Sequence, residues 1–118
     1  SKMIKIWHNN RCSKSREAKA ILEESEQEFE VFEYLKNEFT KDELIAIMAQ
    51  LAISDIRDML RHKESEYKEL DIANESKSQD EILDLVVANP KLVERPIIIK
   101  ENKAVIARPM ENLINLIG

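Results

Sequence analysis

Hydrophobic and polar positions change period several times along the chain, and each change marks an element. Residues 3–7 read as a short buried strand, with Ile4 and Ile6 on one side and Lys5 between them. Polar residues 8–11 break the strand just before Cys12. From Ser13 the spacing turns helical, since Ala18, Ile21 and Leu22 share one face, and the polar run 23–28 ends that helix. Residues 29–35 are rich in aromatic and β-branched side chains and predict a second strand. Strand, helix and strand make a βαβ unit, whose two strands run parallel with a right-handed crossover.

A helical block follows. Thr40-Lys41-Asp42-Glu43 has the form of a capping box, in which Thr40 caps the third helical amide and Glu43 reaches back. Leu44, Ile45, Met48 and Leu51 are the expected apolar stripe of that helix. Ser54 or Asp55 is placed to cap a shorter helix through Arg61. Residues 61–69, rich in Lys and Glu, read as a solvated surface with His62 as a solvated neighbour, and 67–76 as unassigned or partly helical. Ser78-Gln79-Asp80-Glu81 is a second capping box, opening a helix with Ile82, Leu83, Val86 and Val87 inside, and Asn89-Pro90 closes it. The end reverts to strand, where 97–100 and 104–107 flank the polar turn Glu101-Asn102-Lys103 as an antiparallel hairpin. Pro109 is expected in the first turn of a last helix that carries Met110, Leu113, Ile114 and Ile117 on its apolar side. This order predicts an α/β fold: a thioredoxin-like βαβ…ββα sheet with a helical insertion between its halves. The whole chain, 1–118, is expected to be one domain, with the core at 1–39 and 90–118 and the insertion at 40–89.

Composition narrows the function. The single glycine is Gly118, so phosphate loops and dinucleotide fingerprints, which need interior glycines, are excluded. Any anion must be held by side chains and helix N-termini. One cysteine excludes an internal disulfide and a cysteine-rich zinc site, and two distant histidines add no metal site. The thiol usage points to a reducing compartment, hence the cytoplasm. A formal net charge of -5 argues against nucleic-acid and anionic-membrane partners. No stretch is long enough to span a bilayer, and monomer is the default for so charged a surface.

Cys12 falls between the first strand and the helix after it, where unpaired backbone amides and the helix dipole favour a thiolate. Arg11, Lys14 and Arg16 add positive charge nearby, and polar flanks argue against the alternative of a small buried hydrophobe. Cys12-Ser13-Lys14-Ser15 lacks a second thiol, so any resolving thiol comes from another molecule. Arg61, Arg95 and Arg108 lie at or beside element ends, two of them before a proline. Singly, each reads as a surface charge; topology is what gathers them near Cys12, where planar guanidinium groups can bind an oxyanion. Both states of the Arg95-Pro96 bond stay open. His8, four residues before Cys12, either pairs with the thiolate or caps the strand end. Trp7 reads as core.

With these motifs the chain resembles the glutaredoxin-linked arsenate reductases and their close relatives. The resemblance is carried by His8-Asn9-x-x-Cys12-x-x-Ser15-Arg16, by Met59-Leu60-Arg61 followed by Glu66-Tyr67-x-Glu69-Leu70, by Arg95-Pro96-Ile97-Ile98 and by Arg108-Pro109. Position 10 is Asn where many members have Pro, and Ser13-Lys14 stands where the best-known enzymes have Gly-Thr. The resemblance implies a thioredoxin-like fold, a nucleophilic Cys12, oxyanion binding by Arg61, Arg95 and Arg108, and support of the thiolate by His8, Ser15 and Arg16, with Ser15 hydrogen-bonded to it. It also implies that arsenate is the substrate, that glutathione is co-substrate with no tightly bound cofactor, and that glutaredoxin is the partner. Two other readings are open. One is a glutathione-dependent thiol-disulfide oxidoreductase of the same family, for which three arginines have no clear use. The other is a regulator resembling the Spx-type proteins that bind RNA polymerase, whose C-x-x-C disulfide switch is unavailable with Ser15 in second place.

Overall fold

A computed structural model describes residues 3–118; Ser1 and Lys2, the first residues of the expected core segment, lie outside the described residues. The elements are β1 (Ile4–Trp7), α1 (Ser13–Glu24), β2 (Phe29–Phe32), α2 (Lys41–Leu51), α3 (Ser65–Glu69), α4 (Gln79–Ala88), β3 (Ile97–Lys100), β4 (Lys103–Ile106) and α5 (Glu111–Ile117). Short 3-10 turns occupy Ile56–Met59 and Pro90–Leu92. The chain divides into two compact units: residues up to Asn37 together with Arg95–Gly118, and Glu38–Glu94. Among the described residues no helix is long and apolar enough to cross a membrane.

The first unit is built on a sheet of order β2-β1-β3-β4. β1 pairs with β2 in parallel and with β3 antiparallel, and β3 pairs antiparallel with β4. Alternation along the strands sorts the side chains. Ile4, Ile6 and Ile98 join Ala18 and Leu22 of α1, Ala107 just after β4, and Leu113 of α5 in one buried cluster. Trp7 turns to the other face and is fully buried there, its ring 5.1 Å from Phe32 and 5.8 Å from Tyr34. On that face Lys5 sits opposite Glu30 in register and pairs with it at 3.4 Å.

Several expectations are corrected in this unit. β2 stops at Phe32 rather than residue 35, because the Lys36 and Asn37 N–H groups turn back onto the Glu33 carbonyl at 3.0 and 3.1 Å. The hairpin turn needs only Glu101 and Asn102, since Lys103 already pairs with Lys100, and Glu101 takes the positive φ of 58° that closes it. Pro109 lies before the cap of α5, which is Met110, and the Pro109 carbonyl accepts from Asn112 N–H. Ile114 is half exposed; Leu113 faces the core, with Met110, Leu116 and Ile117 packed against it. Both Arg95-Pro96 and Arg108-Pro109 are cis.

The second unit is helical. Both capping boxes form: Thr40 with Glu43 on α2, and Ser78 with Glu81 on α4. α2 buries Leu44 and Ile47, whereas Ile45, expected in the stripe, is about half exposed. Asp55 caps the Ile56–Met59 turn, which ends two residues short of Arg61. Arg61 instead follows an isolated antiparallel bridge between Leu60 and Val93, its N–H donating to the Leu92 carbonyl at 2.7 Å. Residues 61–69 are mostly exposed, as expected, but they include α3, whose Tyr67 is buried and stacks on His62 at 4.5 Å. Arg57 ties this unit together, donating from Nε to the Ile72 carbonyl at 2.7 Å and from Nη2 to the Asn74 carbonyl at 2.8 Å.

Candidate active site around Cys12

Sheet register explains why distant residues meet at Cys12. Trp7, the last residue of β1, is aligned with Ile97, the first of β3, and Ile97 with Ile106, the last of β4. The loop after β1, the arginine before β3 and the arginine after β4 therefore emerge at one end of the sheet. Arg108 uses that placement directly. Its Nε donates to the Arg95 carbonyl at 2.8 Å, and its Nη2 lies 3.7 Å from Cys12 Sγ.

Cys12 is the N-cap of α1, in extended backbone, and its carbonyl accepts the Arg16 N–H at 3.0 Å. Its side chain is almost wholly buried, at 8% exposure. Burial pushes the thiol up, as for any group charged on deprotonation. The Ser15 N–H dipole, the Arg95 guanidinium by hydrogen bonding and charge, and the Lys14 N–H dipole pull it down by more, so Cys12 titrates below the ordinary thiol range. Low exposure and thiolate character thus coexist, because the site replaces water with fixed donors.

The loop 8–11 is held by its own asparagines and by α1. Asn9 receives the Cys12 N–H on its carbonyl and the Arg11 N–H on Oδ1, both at 3.0 Å. Arg16 Nη1 donates to the Asn10 carbonyl at 3.0 Å, so its guanidinium fastens the loop. Ser15 is fully buried; its Oγ accepts the Asn9 N–H at 3.0 Å and lies 2.7 Å from His8 Nδ1. His8 is also buried, with Nε2 3.4 Å from Asn10 Oδ1. Burial lowers the His8 pKa; the Asn10 contact and the Glu33 charge raise it by less, and Lys19 and Arg16 lower it further. A neutral imidazole carrying its proton on Nε2 satisfies both contacts, with the Ser15 hydroxyl donating to Nδ1. His8 therefore meets Ser15, and the group that Ser15 offers Cys12 is its backbone N–H.

Cys12, Ser15, His8, Arg16, Arg95 and Arg108 all belong to the first unit. Arg61 belongs to the second, where Nη1 is ion-paired with Glu64. Asn9 and Asn10 escaped the reading of single residues; two asparagines between a strand and a helix are themselves a turn signal. Among the described residues no group of three His, Cys, Asp or Glu side chains is placed to hold a metal ion.

A sheet of this order with a lone cysteine capping the first helix defines a thioredoxin-like protein with a thiol site. Comparison with known proteins makes the class specific. The ArsC family model matches residues 7–115, and the chain belongs to the ArsC family. It is 41% identical over 118 residues to an uncharacterised protein of Escherichia coli K12, YfgD, covering 100% of this chain and 99% of that one. It is 42% identical over 110 residues to an arsenate reductase of Neisseria meningitidis, covering 93% and 94% of the two chains. Among solved structures, an arsenate reductase from Vibrio cholerae superposes with a TM-score of 0.93 at 36% identity, covering 98% of both chains.

Proposed function

We propose that this protein is an arsenate reductase that uses Cys12 as nucleophile and glutathione and glutaredoxin as the source of reducing thiols. The observation that carries the proposal is the setting of Cys12 at the start of α1, where the Ser15 N–H and the Arg95 guanidinium lower its pKa against burial and Arg108 Nη2 lies 3.7 Å from its sulfur. A tetrahedral oxyanion with an electrophilic centre needs that pairing of soft nucleophile and fixed cations. The names of the relatives in Neisseria and Vibrio support arsenate as substrate.

In the first step the Cys12 sulfur forms a bond to arsenic, and an arsenate oxygen leaves as water after taking up two protons. Arg95 and Arg108 hold the remaining oxygens. The glutathione thiolate then attacks Cys12 sulfur, the sulfur–arsenic bond breaks, and its electron pair stays on arsenic. Arsenic(V) becomes arsenic(III), and the two thiols become one mixed disulfide. A glutaredoxin thiol attacks the glutathione sulfur and releases the Cys12 thiolate. The resemblance assigns oxyanion binding to Arg61 as well, and the arsenate KM of Arg61→Ala tests that assignment separately.

The experiment is NADPH consumption with arsenate, glutathione, glutaredoxin and glutathione reductase, run beside Cys12→Ser. Arsenate-dependent turnover that vanishes in the variant supports the proposal. Turnover with a disulfide substrate, without arsenate dependence, would move the assignment to the thiol-disulfide oxidoreductase reading.

A further inference from the structure

One cleft of the first unit is not used by the steps above. It has a volume of about 310 Å³ and lies between the loop that leads into Cys12 and the turn that follows β2. That volume is at the lower end of the range of small-ligand sites, roughly 300–1,000 Å³. Arg11 stands on the loop side, one residue before the nucleophile, and Glu33, Leu35 and Lys36 stand on the turn side. The loop's side-chain oxygens are engaged internally, Asn9 Oδ1 by the Arg11 N–H and Asn10 Oδ1 by His8. Leu35 is exposed at 43% and gives an apolar wall.

We propose that this cleft is the seat of the glutathionyl group: a small peptide with two carboxylates and one ammonium group, its sulfur directed at Cys12. The charges match in kind and number. Arg11 and Lys36 can each take a carboxylate, and Glu33 can take the ammonium group. Without ligand, Glu33 and Lys36 answer each other at 3.3 Å, in an exposed pair of the sort that contributes little, so exchanging partners costs little. Position gives direction as well. Arg11 and Cys12 are joined by one peptide bond, about 3.8 Å between their Cα atoms, within the reach of a bound tripeptide's cysteine. The inference rests on the reading of glutathione as co-substrate, and it deepens that reading by placing the molecule.

Its test leaves arsenate out. The Cys12 thiolate attacks one sulfur of glutathione disulfide, a Cys12–glutathione bond forms, and glutathione thiolate leaves with the electron pair of the broken disulfide. Second-order rates are compared with those for bis(2-hydroxyethyl) disulfide, which has no charged group to bind. Lys36→Glu is expected to lower the rate with glutathione disulfide about fivefold or more, the consequence of replacing an attractive charge with a repulsive one. The rate with the neutral disulfide is expected to stay within about twofold, since the groups that lower the Cys12 pKa are Ser15, Arg95 and Lys14 rather than Lys36. The double exchange Glu33→Lys with Lys36→Glu keeps the net charge and reverses the polarity of the cleft, and it is expected to stay slow. Equal losses with both disulfides, recovery in the double exchange, or no preference of the parent protein for glutathione disulfide would each overturn the proposal. Selective reaction with glutathione disulfide by a protein that fails to turn over arsenate would sink the reductase reading and leave this site standing.

Discussion

At the scale of single residues, Cys12 is decided by a contest that burial loses. The side chain is nearly inaccessible, yet two backbone dipoles and the Arg95 guanidinium outweigh the desolvation of the thiolate. Arg95→Ala and Arg108→Ala are each expected to move the midpoint of the iodoacetamide alkylation profile upward, toward the ordinary thiol range. A profile unmoved in both variants would contradict the action of these two guanidinium groups on Cys12. The same shift links to stability. A thiol whose folded value is depressed contributes stability that is complete above its unfolded value and lost as pH falls through the folded one. The stability difference between the parent protein and Cys12→Ser should therefore grow with pH across that interval in urea titrations. His8 behaves alike in sign: its lowered value favours the neutral ring, and that contribution disappears on acidification below it. Ser15 carries a different burden. Ser15→Ala strips partners from the buried His8 Nδ1 and from the Asn9 N–H, and each such loss costs about 1–3 kcal/mol. The expected loss of stability is about 2–6 kcal/mol for the two together, with the loop before Cys12 loosened. The neutral role of His8 is not visible from spacing, since its place four residues before Cys12 says nothing about the Ser15 hydroxyl.

At the scale of elements, chemistry confined to neighbouring residues was readable and chemistry across the fold was less so. The two capping boxes need only four residues each, and both appear where the sequence puts them. Thr40→Ala is expected to cost about 1 kcal/mol, and Ser78→Ala a similar amount, in chemical denaturation. An unchanged midpoint for both would mean that the ends of α2 and α4 are held by packing alone. The apolar faces are less legible in the sequence. Ile45 and Ile47 are equally hydrophobic, and only the neighbours of α2 choose Ile47 for burial. Phe29–Phe32 continues into an apolar Tyr34-Leu35 pair that prolongs the strand pattern, whereas the backbone has already turned at Glu33. Tyr67 lies in so charged a stretch that its burial against His62 left no periodic signal. Pro109 shows the same limit. A proline two residues before a helix and one inside its first turn differ by a shift too small for the pattern to resolve.

At the scale of the whole molecule, a net charge of -5 and an anion site must be reconciled. At 0.15 M salt the Debye length is about 8 Å, so charges spread over the surface are largely screened from one another. What an arriving oxyanion feels is the set of cations within that distance, and in the first unit Arg108 is at contact range of the sulfur while Arg95 acts on its pKa. Contact pairs in a partly dehydrated site are screened far less than exposed ones. Phosphate, a tetrahedral anion that has the charge and shape of arsenate but is not reduced by thiols, isolates this property. It is expected to protect Cys12 from alkylation by iodoacetamide, with a midpoint concentration that rises less than about tenfold between 0.15 and 0.5 M sodium chloride. Arg108→Ala is expected to abolish protection at both salt concentrations. Protection that disappears with salt in the parent protein would mean that the anion is held by the exposed cations Arg11, Lys14 and Arg16, and the oxyanion would then have to be placed outside the Arg108–Cys12 contact.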